Sequence, residues 1–130
     1  PPAPADRERR CARARGILAA AERQMKMAGV LAAGGFGEEA VAEARRAVCL
    51  AAGVLALFAA GTDAERGVAP LTDAMVEAVR ADAEVGREQV AVPQAAPLGL
   101  EAEPEPWMRK ARAFVAFCGE YAERRRMRGA

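Results

Sequence analysis

Side chains that perform catalysis or bind metals are scarce in this sequence, and histidine is absent from all 130 residues. Without imidazole, the chain lacks the commonest general base, proton shuttle and metal ligand of proteins. A carboxylate di-metal site of the four-helix type is disfavoured as well, because it needs Glu-x-x-His pairs. We therefore expect a non-enzymatic chain with no catalytic residue, no metal and no cofactor.

The three cysteines are the remaining strong nucleophiles. They lie far apart and form no C-x-x-C pair, which argues against a disulfide framework and a zinc site and favours a reducing, cytoplasmic location. Cys11 stands among arginines, whose charges favour a reactive thiolate; an exposed or packed thiol without special reactivity is the alternative. Cys49 and Cys118 fall on apolar faces and are expected to be small core residues.

Arginines form one cluster near each end of the chain, although the net charge is only +1. Such clusters bind nucleic-acid phosphates without sequence preference, but cations at a helix end also complement the helix dipole. We favour solvated helix ends and keep phosphate contact as the alternative. The candidate interaction residues are Arg9, Arg10 and Arg13 in the first cluster and Arg124, Arg125 and Arg126 in the second.

Helices must position these side chains, because alanine is abundant whereas β-branched and aromatic residues are scarce. Apolar residues recur every three or four positions from Asp6 to Ala33, which predicts an amphipathic helix. The following Gly34-Gly35-Phe36-Gly37 predicts a tight turn and an antiparallel helix pair. A phosphate loop is disfavoured, because no strand precedes it and no Gly-Lys-Ser/Thr follows. The predicted inward residues are Ala14, Leu18, Ala21, Met25, Ala28 and Ala32.

The second helix is predicted from Glu38 to Ala60, and its second half, 47–60, is apolar on all sides. These fourteen residues are fewer than the roughly 20 that cross a bilayer. They predict a helix at the centre of a bundle and no membrane partner.

Shorter helices are predicted next. Thr62 to Glu65 has the form of a capping box, and Pro70 suits the first turn of a helix that extends to Ala83. Prolines and glycines then interrupt the periodicity from 84 to 105, which predicts a long connector that is either mobile or a binding loop. The residues expected to face inward are Leu71, Met75, Ala78 and Val79 in the helix and Val90, Val92, Leu98 and Leu100 in the connector.

The last helix is predicted from about Pro106 onwards, with Trp107 at its junction with the connector. Its predicted apolar face consists of Trp107, Ala111, Phe114, Val115, Cys118, Tyr121 and Ala122. We expect Trp107 to be a core anchor; an exposed anchor for a partner protein is the alternative. The predicted fold is an all-α antiparallel bundle of four to five helices, with a long proline-containing connector before the last helix. It occupies residues 6–128 as a single domain, and residues 1–5 are expected to be a linker from a longer chain.

The segment Gln24 to Leu31, Gln-Met-Lys-Met-Ala-Gly-x-Leu, followed by the glycine turn and Glu39 to Ala47, resembles the first two helices of HEPN domains. Ala111 to Phe117 is similar to the closing helix of that family. Its ribonuclease members carry an Arg followed four to six residues later by His, and this chain has no His. The resemblance therefore implies a non-catalytic helical module that pairs as a dimer or serves as an accessory domain.

Three functional hypotheses remain, and the least favoured is an enzyme whose site would be built from carboxylates, arginine and Cys11. The favoured one is an accessory domain that associates with itself or with another domain of a longer polypeptide. The alternative is a nucleic-acid-binding accessory module in which the basic first and last helices lie side by side.

Overall fold

The computed structural model describes residues 4–60, 71–93 and 104–128, and the regular structure in these ranges is helical. The all-α bundle predicted from the sequence is confirmed. Within these ranges, no helix is long and apolar enough to span a membrane. The helices are α1 (Pro4–Ala33), α2 (Gly37–Ala60), α3 (Asp73–Ala83), α4 (Arg87–Val90) and α5 (Pro104–Met127).

A three-residue turn joins α1 to α2. The Gly34 amide donates to the Val30 carbonyl at 3.0 Å, and the Phe36 amide donates to the Leu31 carbonyl at 2.8 Å. Gly35 adopts a φ of 87°, a left-handed conformation that glycine tolerates without steric cost. This turn reverses the chain, so the predicted antiparallel helix pair is confirmed.

Alanine contacts allow α1 and α2 to pack closely. Three alanines of α1, at positions 14, 21 and 28, recur every seven residues and are at most 1% exposed. Since interaxial distance depends on the side chains at the contact, these small residues let the two backbones approach. The α2 helix presents its own fully buried alanines there: Ala40, Ala44, Ala47 and Ala51.

The second half of α2 lies at the centre of the bundle, as predicted. Every residue from 51 to 58 is buried, whereas the first half of the helix buries only one face. Cys49 lies where the one-sided packing gives way to packing on all sides, and its side chain is exposed. The prediction that Cys49 belongs to the core is therefore wrong.

The α5 helix runs antiparallel to α1 and parallel to α2. Phe58 and Tyr121, near the C-terminal ends of α2 and α5, have ring centroids 6.2 Å apart. Arg15, in the first half of α1, acts electrostatically on Glu123, near the end of α5. The predicted apolar face of α5 is confirmed, since all of its members are buried: Trp107, Ala111, Phe114, Val115, Cys118, Tyr121 and Ala122.

The α3 helix begins later than predicted. Thr72 is its N-cap, and the Thr72 hydroxyl accepts a hydrogen bond from the Met75 amide at 3.2 Å. Pro70, the predicted start, and the capping box at 62–65 lie outside the described residues. Of the four residues predicted to face inward, Val79 is buried, Leu71 and Met75 are half-buried and Ala78 is exposed, so the prediction for Ala78 is wrong.

The described part of the connector packs against the bundle. Val90, at the end of the single-turn helix α4, is fully buried, and Val92 is partly buried against the same core. Both residues were predicted to face inward. Leu98 and Leu100 lie outside the described residues.

Candidate association surface

Arg125 of the C-terminal arginine cluster is bound to Asp82 of α3. The Asp82 carboxylate accepts hydrogen bonds from the Tyr121 hydroxyl at 2.8 Å, from Arg125 at 3.2 Å and from Arg128 at 2.8 Å. The Arg125 guanidinium also lies over the Phe58 ring, 5.5 Å from its centroid. This set of contacts, the Asp82 cluster, fastens α3 to the end of α5.

The electrostatics of the Asp82 cluster favour the ionised carboxylate. Hydrogen bonding from Arg128 is the main reason why the pKa of Asp82 falls to about 2; burial opposes this shift, and the hydrogen bonds from Tyr121 and Arg125 add to it. Burial and the hydrogen bond to Asp82 raise the pKa of Tyr121. The cluster is thus a structural ion pair at neutral pH.

The other two candidate residues of the C-terminal arginine cluster also have partners within the fold. Arg124 donates to the carbonyl of Ala83 at 3.3 Å. Arg126 donates from Nε to both carboxylate oxygens of Glu123 at 3.1 Å. These hydrogen bonds lower the pKa of Glu123. Phosphate contact by Arg125 or Arg126 would therefore compete with existing carboxylate contacts.

The candidate arginines of the N-terminal cluster lie on the first turns of α1. Arg9 forms an ion pair with Asp6, Arg10 is half-buried and Arg13 is exposed. Cys11 is half-buried beside them and acts electrostatically on Arg126 of α5. The two basic ends therefore share one end of the bundle, as the side-by-side hypothesis requires.

Trp107 belongs to the core. Only 6% of it is exposed, and Met108 beside it is fully buried. This confirms the core-anchor expectation, and the alternative of an exposed partner-binding Trp107 is wrong for this chain. Its indole nitrogen has no hydrogen-bond acceptor among the described residues. Cys118 is also buried, as predicted, and burial raises the pKa of its thiol, which makes it unreactive.

An open groove of about 700 Å³ runs between α1 and α5. Its floor consists of small or apolar residues, so the two helix backbones are only thinly covered there. Met127 also lines the groove, and it is 75% exposed at one end of it. The floor residues are Leu18 and Ala19 from α1 and Ala116 and Gly119 from α5.

The rim of the groove carries opposite charges at its two ends. Arg15 and Arg124 lie at the end where α1 begins, and the nearby Glu123 is paired with Arg126. Glu22 lies two helical turns further along α1, and Glu120 lies between these ends on α5. The α1 side of the groove is therefore positive at one end and negative at the other, with Leu18 and Ala19 between the two charges.

Comparisons of this chain with protein-family models, with curated proteins and with solved structures gave no match.

Sequence reasoning missed both the groove and the Asp82 cluster. The small residues Ala19, Ala116 and Gly119 were a visible signal, because they lie on the polar sides of their helices, where longer side chains are usual. The exposed apolar residues on α1 and its turn were missed as well: Met27, Val30 and Phe36. Over the described residues, no three Cys, Asp or Glu side chains are grouped so as to hold a metal ion.

Proposed function

We propose that this bundle is a non-catalytic, HEPN-like association module that binds a helical partner through the groove between α1 and α5. The partner is either a second copy of the chain or another domain of a longer polypeptide. The open groove is the observation that carries the proposal, since a thin apolar floor between two helices suits the apolar face of a third helix.

The shape of the bundle supports this use of the groove. The second half of α2 is enclosed by its neighbours, α3 lies against α2, and α4 lies against α3 and α5. The α1–α5 groove is instead open to solvent and includes a methionine that is three-quarters exposed. Flexible methionine side chains adapt to the surface of a bound helix, which makes Met127 a suitable contact residue.

The test fills the groove without disturbing the core. Ala116→Trp places a large ring on the groove floor at an exposed position, and Ala42→Trp places the same ring on the exposed face of α2 as a matched control. Size-exclusion chromatography with light scattering over a range of concentrations measures self-association, and binding to the remainder of a longer polypeptide is measured by calorimetry.

We expect Ala116→Trp to weaken association at least tenfold, because the ring occupies the volume of the incoming helix. Ala42→Trp should leave association unchanged. A chain that stays monomeric and binds no other domain, or one that associates equally well with the groove filled, would refute the proposal.

Nucleic-acid binding is the second candidate, because the basic ends of α1 and α5 share one end of the bundle. Arg13 is exposed there, as is Arg124. Arg13→Ala with Arg124→Ala is the better test, since replacing Arg125 would break the Asp82 cluster. Anisotropy with a single-stranded RNA should show binding that weakens steeply between about 50 and 200 mM salt and is reduced in this variant. No binding at the lower salt concentration would exclude this candidate.

A further inference from the structure

We infer that the partner in the groove is a second copy of this chain, related by a two-fold axis that passes between the two copies of α1, level with Leu18 and Ala19. The inference rests on the proposed function and names the partner. It is carried by the order of charges along α1 and by the small residues between them.

The charges on α1 are self-complementary. Arg15 and Glu22 are both exposed and lie seven residues apart, which is about 10.5 Å along the helix axis. The midpoint between them falls between Leu18 and Ala19. If two α1 helices pack antiparallel about this midpoint, Arg15 of each copy faces Glu22 of the other, as an isologous interface requires.

The α5 side of the groove strengthens the same pairing. Arg124 lies nearly level with Arg15, because α5 runs antiparallel to α1 and Glu123 interacts with Arg15. Glu22 of the second copy would therefore lie near two arginines, Arg15 and Arg124, whereas Glu120 lies nearly level with Leu18 and Ala19, close to the axis. Glu123 does not oppose this arrangement, since it is already paired with Arg126.

The centre of the contact is small enough for close approach. Ala19 is exposed on α1 and the neighbouring Leu18 is buried in the floor, so no long side chain of α1 projects between the two copies at the axis. On α5, a Cβ atom added to Gly119 would meet no other atom within 4 Å, which leaves space beside the axis. A parallel arrangement is disfavoured, because it would bring the two positive ends together.

Charge exchange between two variants is the decisive experiment. Arg15→Glu makes both groove charges on α1 negative, and Glu22→Arg makes both positive, so each variant alone should repel its own copy. Sedimentation should show that the dimer dissociation constant rises about tenfold or more for each variant. An equimolar mixture should form a heterodimer with at least the affinity of the unmodified chain, because every pair is then attractive.

Matched controls carry the same charge changes on the exposed face of α2. Arg45→Glu and Glu39→Arg lie outside the groove and should leave the dimer unchanged. Far-UV circular dichroism and urea unfolding must show that all four variants fold like the unmodified chain. The exposed positions of all four residues make folding failure unexpected.

The outcomes separate the two proposals. A dimer that both groove variants weaken and their mixture restores supports the two-fold contact. A dimer that is insensitive to these exchanges, or a chain that is monomeric at every concentration, overturns it. If that monomer still binds another domain and Ala116→Trp abolishes the binding, the proposed function stands without self-association.

Discussion

Asp82 is the residue whose ionisation matters most to this fold. Its carboxylate connects α3 to three side chains of the C-terminal part of the chain, Tyr121, Arg125 and Arg128. Its side chain is 29% exposed, so water screens these contacts only in part. The residues are 39 to 46 positions apart in sequence, and the contacts therefore depend on the tertiary fold.

The lowered pKa of Asp82 predicts a loss of stability in acid. The folded-state pKa of about 2 is below the ordinary value of 3.8. The stabilisation is therefore present above about pH 4 and is lost as the pH falls through 2. We expect Asp82→Asn to lower the unfolding free energy at pH 7 by about 1 kcal/mol after allowance for solvent screening, and to remove this part of the acid transition.

Urea unfolding at a series of pH values, followed by far-UV circular dichroism, measures this effect. Glu88→Gln on the exposed surface of α4 is the control, since it removes a carboxylate without touching the cluster. If Asp82→Asn and the unmodified chain lost the same free energy between pH 5 and pH 2, the Asp82 cluster would not stabilise the fold.

Trp107 is the largest side chain in the core and provides the second residue-level prediction. It is 94% buried, so Trp107→Ala should cost roughly 3 to 5 kcal/mol. Trp107→Phe should cost less than half of that. Phenylalanine keeps an aromatic ring in the core and lacks the indole N–H, which has no acceptor among the described residues. Equilibrium unfolding measures both differences.

The fluorescence of Trp107 provides an independent check. A buried indole should emit at short wavelength and resist quenching in the dilute, monomeric chain. A red-shifted emission that is readily quenched, together with a small cost for Trp107→Ala, would contradict the core position.

The same residues show what the sequence does and does not contain. Trp107 and the rest of the α5 face were predictable, because helical periodicity determines which side of a helix is apolar. The exposure of Cys49 was not predictable, because it depends on the point along α2 from which other helices surround this helix. Asp82 was recognisable as an acid, but its partners come from another helix whose position the sequence pattern leaves open.

Among the elements, α3 depends most on its cap. It buries only Val79 and Ala83 from its own eleven residues, so its packing energy is small. Thr72→Ala removes the hydroxyl that accepts the Met75 amide and should cost about 1 kcal/mol. Thr72→Ser keeps the hydroxyl and should retain most of the stability.

Thermal unfolding of both Thr72 variants tests the cap. A loss of similar size for Thr72→Ser and Thr72→Ala would show that the methyl group of Thr72, and not the hydrogen bond, stabilises this end of α3. The observed start of α3 differs from the predicted start at Pro70 because two signals compete in this segment. Proline favours a first turn, whereas the Thr72 side chain satisfies a free amide of the observed first turn.

The groove illustrates the same limit at the level of helix pairs. Small residues on the polar sides of α1 and α5 could be read from the sequence, and so could the charges of Arg15 and Glu22. The face of α1 that borders α5 could not be read from the sequence. The alanine face of α1 is buried against α2, and the position of α5 beside the rest of α1 depends on the packing angle between the helices.

For the whole molecule, the distribution of buried residues predicts two levels of stability. Residues 51–58 of α2 are all buried and are surrounded by the rest of the bundle, so their amides should exchange with solvent only through global unfolding. The α3 helix lies at the periphery and is held by its cap, two buried side chains and the Asp82 cluster. Its amides should exchange through a local opening that leaves the α1–α2 pair intact.

Met25→Ala distinguishes these two openings. Met25 lies in α1, on the buried face that packs in the core and far along the chain from α3, and its truncation should cost about 2 kcal/mol of global stability. Hydrogen exchange followed by mass spectrometry should then show roughly 30-fold faster exchange in 51–58 and unchanged exchange in 73–83. Asp82→Asn should instead accelerate exchange in both segments, because the contacts of Asp82 are broken in the local and in the global opening. Equal acceleration of both segments by Met25→Ala would mean that α3 unfolds only together with the bundle, as one cooperative unit.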